Sequence, residues 1–156
     1  MKFSLIQSRG ESMDNLDIYL IGGMMKFADN FKESNKWREY LKERLENCIA
    51  RYNVHVINPN DYYSFLPNKH KADSEREIME FDLNKVRNSK LCICNFNDVY
   101  SLGSMAELAI AYDRRIPVIG LCMHNENLHP WQNEMITKKF IDIEELALYV
   151  IDYYLK

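Results

Sequence analysis

Two stretches of this chain, "LCICNF" at Leu91–Phe96 and "IPVIGLC" at Ile116–Cys122, are apolar at nearly every consecutive position. A strand with one face in water alternates apolar and polar residues. One that is apolar throughout is covered on both faces, as in a parallel sheet sandwiched between helices. "LDIYLIGG" at Leu16–Gly23 is a third such run, closed by two glycines, and "VHVINP" is a fourth strand stopped by Pro59. Between them lie segments of helical periodicity. In "ESNKWREYLKERLENCIARY", Trp37, Tyr40, Leu41, Leu45, Cys48 and Ile49 recur at spacings of three and four, opposite a charged face. "EREIMEFDLNKVRNSK" and "GSMAELAIAYDRR" also read as helices, and "FIDIEELALYVIDYYL" as a short extended piece followed by a helix. The tyrosines of "LYVIDYYL" fall at helical spacing and read as core or subunit contact.

Strand and helix therefore alternate, which predicts a doubly wound α/β fold. The expected form is a flavodoxin-like, Rossmann-like five-stranded parallel sheet in the order 2-1-3-4-5, with helices on both faces. Its ligand crevice opens at the carboxyl ends of strands one and three. That brings together the loop after Tyr19 and the segment Asn95–Glu107, far apart in sequence. Residues 1–15 read as a loose leader and 16–156 as one domain, a size that buries a core without staples.

Charge and cysteine usage remove several function classes. A formal charge of -3, mixed in sign along the chain, offers no basic field for nucleic acid. No apolar stretch approaches the ~20 residues needed to cross a bilayer, and the four-residue apolar run near the start is too short for a signal-peptide core. Cys48, Cys92, Cys94 and Cys122 lack C-x-x-C spacing and suit a reduced cytoplasm. Cys92 and Cys94 point the same way on a strand without obvious partners, so no metal site is expected.

Glu107 is the residue that asks for a reason. Ser104 and Glu107 have the S-x-x-E spacing of a capping box, a purely structural role. At 100° per residue, Met105, Leu108, Ala109 and Tyr112 form the expected sheet-facing side of this helix, with Glu107 pointing away. The positions three and four further on, Ile110 and Ala111, are apolar as well. A helix apolar all round is covered all round, so Glu107 is expected beneath a loop, a ligand or a second subunit. Burial opposes its charge while the helix amino terminus favours it, and such carboxylates are functional candidates.

"IYLIGGM", "EFDLNKVRNSKLCICNF", "SLGSMAELAIAY" and "IPVIGL" together resemble, in order and spacing, the nucleoside 2-deoxyribosyltransferase family and its related nucleoside 5'-monophosphate N-glycosidases. The resemblance runs from about residue 16 to 155. It implies that Glu107 is the catalytic glutamate that attacks the anomeric carbon, that Tyr19 positions it, and that Asp82 contacts and helps protonate the base. It further implies a homo-oligomer with shared active sites, in which "ENLHPW" is lent to a neighbouring subunit and Asn127 matches the family's asparagine. The substrate implied by the resemblance is a small nucleoside or nucleotide, with no cofactor. The residues suit the chemistry: an anionic carboxylate under the sugar stabilises an oxocarbenium-like centre and can trap it, while a second acid protonates the leaving base.

Two positions depart from the transferase pattern. Ser101 stands where the transferases carry an aspartate that holds the sugar 5'-hydroxyl, and the monophosphate hydrolases carry serine there. A serine hydroxyl with the nearby amides of Gly103 and Ser104 welcomes a 5'-phosphate, and Lys26 adds a cation where the hydrolases have arginine. His129 stands where the transferases have methionine; it is either a phosphate contact from the adjacent subunit or an ordinary loop residue. Gly22 and Gly23 permit close backbone approach to a ligand. Asp98 reads as a turn former. Tyr62, Tyr63 and Phe65, in a long loop, either stack on a base or form a satellite cluster. The alternative function is a non-catalytic nucleotide-binding or sensing protein using the same crevice.

Overall fold

The computed structural model describes residues 12–62 and 75–156. Five parallel strands form one sheet in the order β2-β1-β3-β4-β5. They are β1 Asn15–Gly22, β2 Asn53–Ile57, β3 Leu91–Asn95, β4 Val118–Leu121 and β5 Lys138–Phe140. The doubly wound topology expected from the continuous apolar runs is present: every residue of β3 and β4 is buried. Strand β1 begins at Asn15, inside the segment read as leader, because the Asn53 amide donates to the Asp14 carbonyl and extends the ladder.

Helices cover both faces. On one side, α2 (Lys36–Glu46) and α6 (Ile143–Val150) pack with Leu20, Ile93, Ile119 and Leu121. On the other, α3 (Glu75–Asn88) and α4 (Leu102–Asp113) close over Tyr19, Ile21, Cys92, Cys94 and Phe96. A single π turn, Ile151–Leu155, continues α6. Among the described residues, no helix is long and apolar enough to cross a membrane.

Three local expectations are corrected. The helix expected across residues 33–52 is two pieces, α1 (Phe31–Ser34) and α2, and it stops at Glu46. Ile49, assigned to the apolar stripe, is 92% exposed beyond that end. A short helix, α5 (Pro130–Met135), lies in a stretch without apolar periodicity. It starts because Pro130 suits the first helical position, while His129 Nδ1 accepts the Trp131 amide at 3.1 Å and Gln132 Oε1 accepts the His129 amide at 2.8 Å.

The third correction concerns α4. Its inward face is Ser104, Glu107, Leu108 and Ala111, whereas Ala109 and Tyr112 are exposed. With every side apolar, periodicity fixes the helix but not its rotation, and the true inward face is turned by one residue. Glu107 therefore points inward, toward the end of the sheet.

Candidate active site

Helix α4 starts where the chain leaves β3 and needs a cap for its free amides. Ser101 supplies it, its Oγ accepting the Ser104 amide at 3.3 Å. The capping box that the Ser104–Glu107 spacing allows does not form. Ser104 is the third residue inside the helix, and its buried Oγ makes no hydrogen bond to the described residues. Glu107 lies a full turn further in, and capping gives no account of it.

Glu107 is only 8% exposed. Burial pushes its carboxyl up to about 8, with the Asp82 charge adding to the rise, while Arg38 and the Tyr19 hydroxyl hold it down. Tyr19, at the centre of β1, is fully buried, and burial and then Glu107 drive its phenol well above the usual range. The Tyr19 hydroxyl makes no bond of good geometry; the carboxyl it interacts with is that of Glu107. Asp82 is buried on α3. The three side chains proposed for chemistry thus come from β1, α3 and α4 and interact with one another at the switch point between β1 and β3.

The cavity above Glu107 measures about 330 Å³ and is lined by Gly22, Lys26, Asp98, Ser101, Gly103 and Ser104, with Met24, Tyr100 and Leu102. The two glycines are required by space. A Cβ on Gly22 would lie 2.6 Å from Trp37 Cζ2, and one on Gly23 would lie 2.9 Å from Asp98 Cβ. Gly23 is also tied to the β3 end, its amide donating to Asn97 Oδ1 at 2.9 Å. Asp98 forms the expected turn, its Oδ1 accepting the Tyr100 amide at 3.2 Å. Lys26, in the 3-10 turn Met25–Asn30, is exposed at the rim. Of the two amides expected to meet a phosphate, that of Ser104 is already engaged by Ser101, leaving that of Gly103.

Asn127 and His129 are not part of this cavity. They line a separate groove of about 700 Å³, together with Met105, Leu128, Trp131 and Met135. Tyr100, 91% exposed, borders both spaces. Tyr62 packs its ring 5.1 Å from Phe81, as a satellite contact would, while Tyr63 and Phe65 lie outside the described residues.

Two residues of this region escaped the sequence reading. Arg38, 1% exposed, reaches from α2 to the end of β1, where its Nη2 donates to the Gly22 carbonyl at 2.9 Å. Asn95 stands opposite Gly22 in the β1–β3 register, buried, with both amide atoms making no hydrogen bond to the described residues. Among the described residues, no three His, Cys, Asp or Glu side chains are grouped to hold a metal ion.

Fold and site together define a parallel α/β protein with a buried acid at the topological switch point, the usual place for a small-ligand crevice in such sheets. No protein-family model and no curated protein sequence matches the chain. Solved structures do share its fold. A conserved protein from Enterococcus faecalis V583 superposes with a TM-score of 0.69 at 16% identity, over 88% of this chain and 98% of that one. A 2-deoxyribosyltransferase from Bacillus psychrosaccharolyticus gives 0.60 at 15% identity, over 85% and 91%. A CMP N-glycosidase from Clostridium botulinum gives 0.58 at 18% identity, over 88% and 98%. The fold is thus shared with enzymes named for deoxyribosyl transfer and for N-glycosidic cleavage.

Proposed function

We propose that this protein is an enzyme of the nucleoside 2-deoxyribosyltransferase family that cleaves the N-glycosidic bond of a nucleoside or nucleoside 5'-monophosphate. The observation that carries this reading is Glu107, a buried carboxyl with no capping duty, set with Tyr19 and Asp82 under a cavity at the sheet switch point.

In the reactive arrangement Glu107 carries the charge and Asp82 the proton. A Glu107 oxygen attacks the anomeric carbon as the bond to the base nitrogen breaks, and the departing nitrogen takes the Asp82 proton. The sugar is left as an ester on Glu107. Water, or the nitrogen of a second base, then attacks the same carbon, returns a proton to Asp82 and frees the carboxylate. Tyr19 donates toward the Glu107 carboxylate and fixes which oxygen attacks. Enclosure matters because the developing positive charge on the sugar is stabilised far more strongly by an anion in a dry site than by one in water.

Ser101, Gly103 and Lys26 suit a 5'-phosphate at the mouth of the cavity, with Ser104 behind them. Gly22 lines the cavity, while the space beside Gly22 and Gly23 that a side chain would take is filled by Trp37 and Asp98. Asn127 and His129 would act from a second copy, docked on the edge where Tyr100, Leu102 and Trp131 are exposed. An adduct-forming carboxyl also needs its partner acid close by, and the mutual repulsion of Asp82 and Glu107 favours one shared proton over two charges.

Incubation with a panel of nucleosides and nucleoside 5'-monophosphates, followed by detection of free base, tests the reading. Release that disappears in Glu107→Ala supports it. Tight binding without release from any substrate assigns a nucleotide-binding protein instead.

A further inference from the structure

Arg38 is a cation with almost no water, and such a group must be balanced from within the protein. Among the described residues no carboxylate lies within ion-pairing distance of it. Its Nη2 bonds the neutral Gly22 carbonyl at 2.9 Å, its guanidinium carbon lies 4.4 Å from the Trp37 ring centroid, and its Nε makes no hydrogen bond. The side chain starts on the α2 side of the sheet, yet its Nη2 sits at Gly22, which lines the same cavity as Glu107, and its charge acts on Glu107, Tyr19 and Cys94 on the α3–α4 side. It can do so because β1 ends in Gly22: a side chain there would put its Cβ 3.0 Å from Arg38 Nη2.

We propose that Arg38 is the positioning residue that supplies the balancing positive charge for Glu107, delivered through the end of the sheet at Gly22. Among the charged and titratable groups around Glu107, Asp82 on α3, Tyr19 on β1 and the buried thiols Cys92 and Cys94 on β3 carry no positive charge. Lys26 lies exposed at the rim of the same cavity, and among the described residues Arg38 is the buried cation that favours the anion. An arginine suits this duty because it stays protonated when buried, where a lysine readily surrenders its proton. It does not touch the reacting atoms; Trp37 and Gly22 hold it behind the carboxylate. Its catalytic consequence rests on the proposed glycosidic chemistry, but its electrostatic consequence does not.

The test reads Glu107 directly. Carboxyl carbon signals of 13C-glutamate-labelled protein are followed against pH, the Glu107 signal being the one lost in Glu107→Gln. In Arg38→Gln and Arg38→Met its midpoint is expected to rise by about one unit or more, as loss of a nearby opposite charge requires. A midpoint unmoved in either folded neutral variant overturns the proposal. If the neutral variants fail to fold at pH 9, the double variant Arg38→Gln with Glu107→Gln should fold there, because it no longer buries a lone carboxylate; equal failure also overturns it. A protein that releases no base from any substrate removes the proposed function and leaves this titration intact.

Discussion

The Tyr19 phenol, from the centre of β1, and the Glu107 carboxyl, from the second turn of α4, interact in the crevice between β1 and β3 while both are buried. Each alters the other: Glu107 raises the phenol, and the phenol holds the carboxyl down. Tyr19→Phe removes the hydroxyl and keeps the ring. Base release is expected to fall by about 10- to 100-fold in kcat, roughly one charge-assisted hydrogen bond's worth, with KM nearly unchanged. Steady-state kinetics check this, and thermal unfolding should show no loss, because that hydroxyl makes no bond of good geometry in the resting site.

The carboxyl at about 8 sets a pH dependence. The reaction needs the pair with one proton, Glu107 charged and Asp82 protonated, so kcat/KM should hold up to about 8 and fall about tenfold per unit above it, where that proton is lost. Profiles between pH 5.5 and 9.5 would show this limb. A flat profile across that span would mean that Glu107 is not the group being ionised.

The same carboxyl has a stability consequence. Its folded value lies above the ordinary 4.5, so the native state holds its proton more tightly than the unfolded chain does. Stability from this group is full below about 4.5 and is lost as pH rises to about 8. Glu107→Gln has no charge to bury. Urea unfolding should find it more stable than the parent at pH 9 by at least about 1 kcal/mol, with the gap closing toward pH 5.

Ser101→Asp separates helix capping from substrate choice. Aspartate is as good an N-cap as serine, so α4 should keep its start and the protein its stability. The added charge at the cavity mouth should repel a phosphate, shifting the ratio of kcat/KM for monophosphate over free nucleoside down by tenfold or more. Parallel assays on the two substrates measure it.

The sheet order was readable because continuous apolar strands have few solutions, and that order alone brings Tyr19 and Glu107 to one crevice. The rotation of α4 was not readable: Met105, Ala109 and Tyr112 are apolar, while Ser104 and Glu107, which do turn inward, are not. Arg38 was missed for a different reason. It occupies the stripe position three before Leu41 and seven before Leu45, a place that calls for a buried residue, but a charge is ordinarily assigned to solvent. Only Gly22, sixteen residues earlier, makes room for it, and nothing local links the two. His129 gave no periodic signal because it stands at the cap of a single short helix.

The central claim is a covalent bond between sugar and Glu107. Protein mixed with a cleaved nucleoside or nucleotide, quenched in acid within a turnover and digested, should yield the peptide containing Glu107 with the added mass of the pentosyl or phosphopentosyl group on that residue. Release of base at full rate with that peptide unmodified, and with Glu107→Ala equally active, would contradict the account.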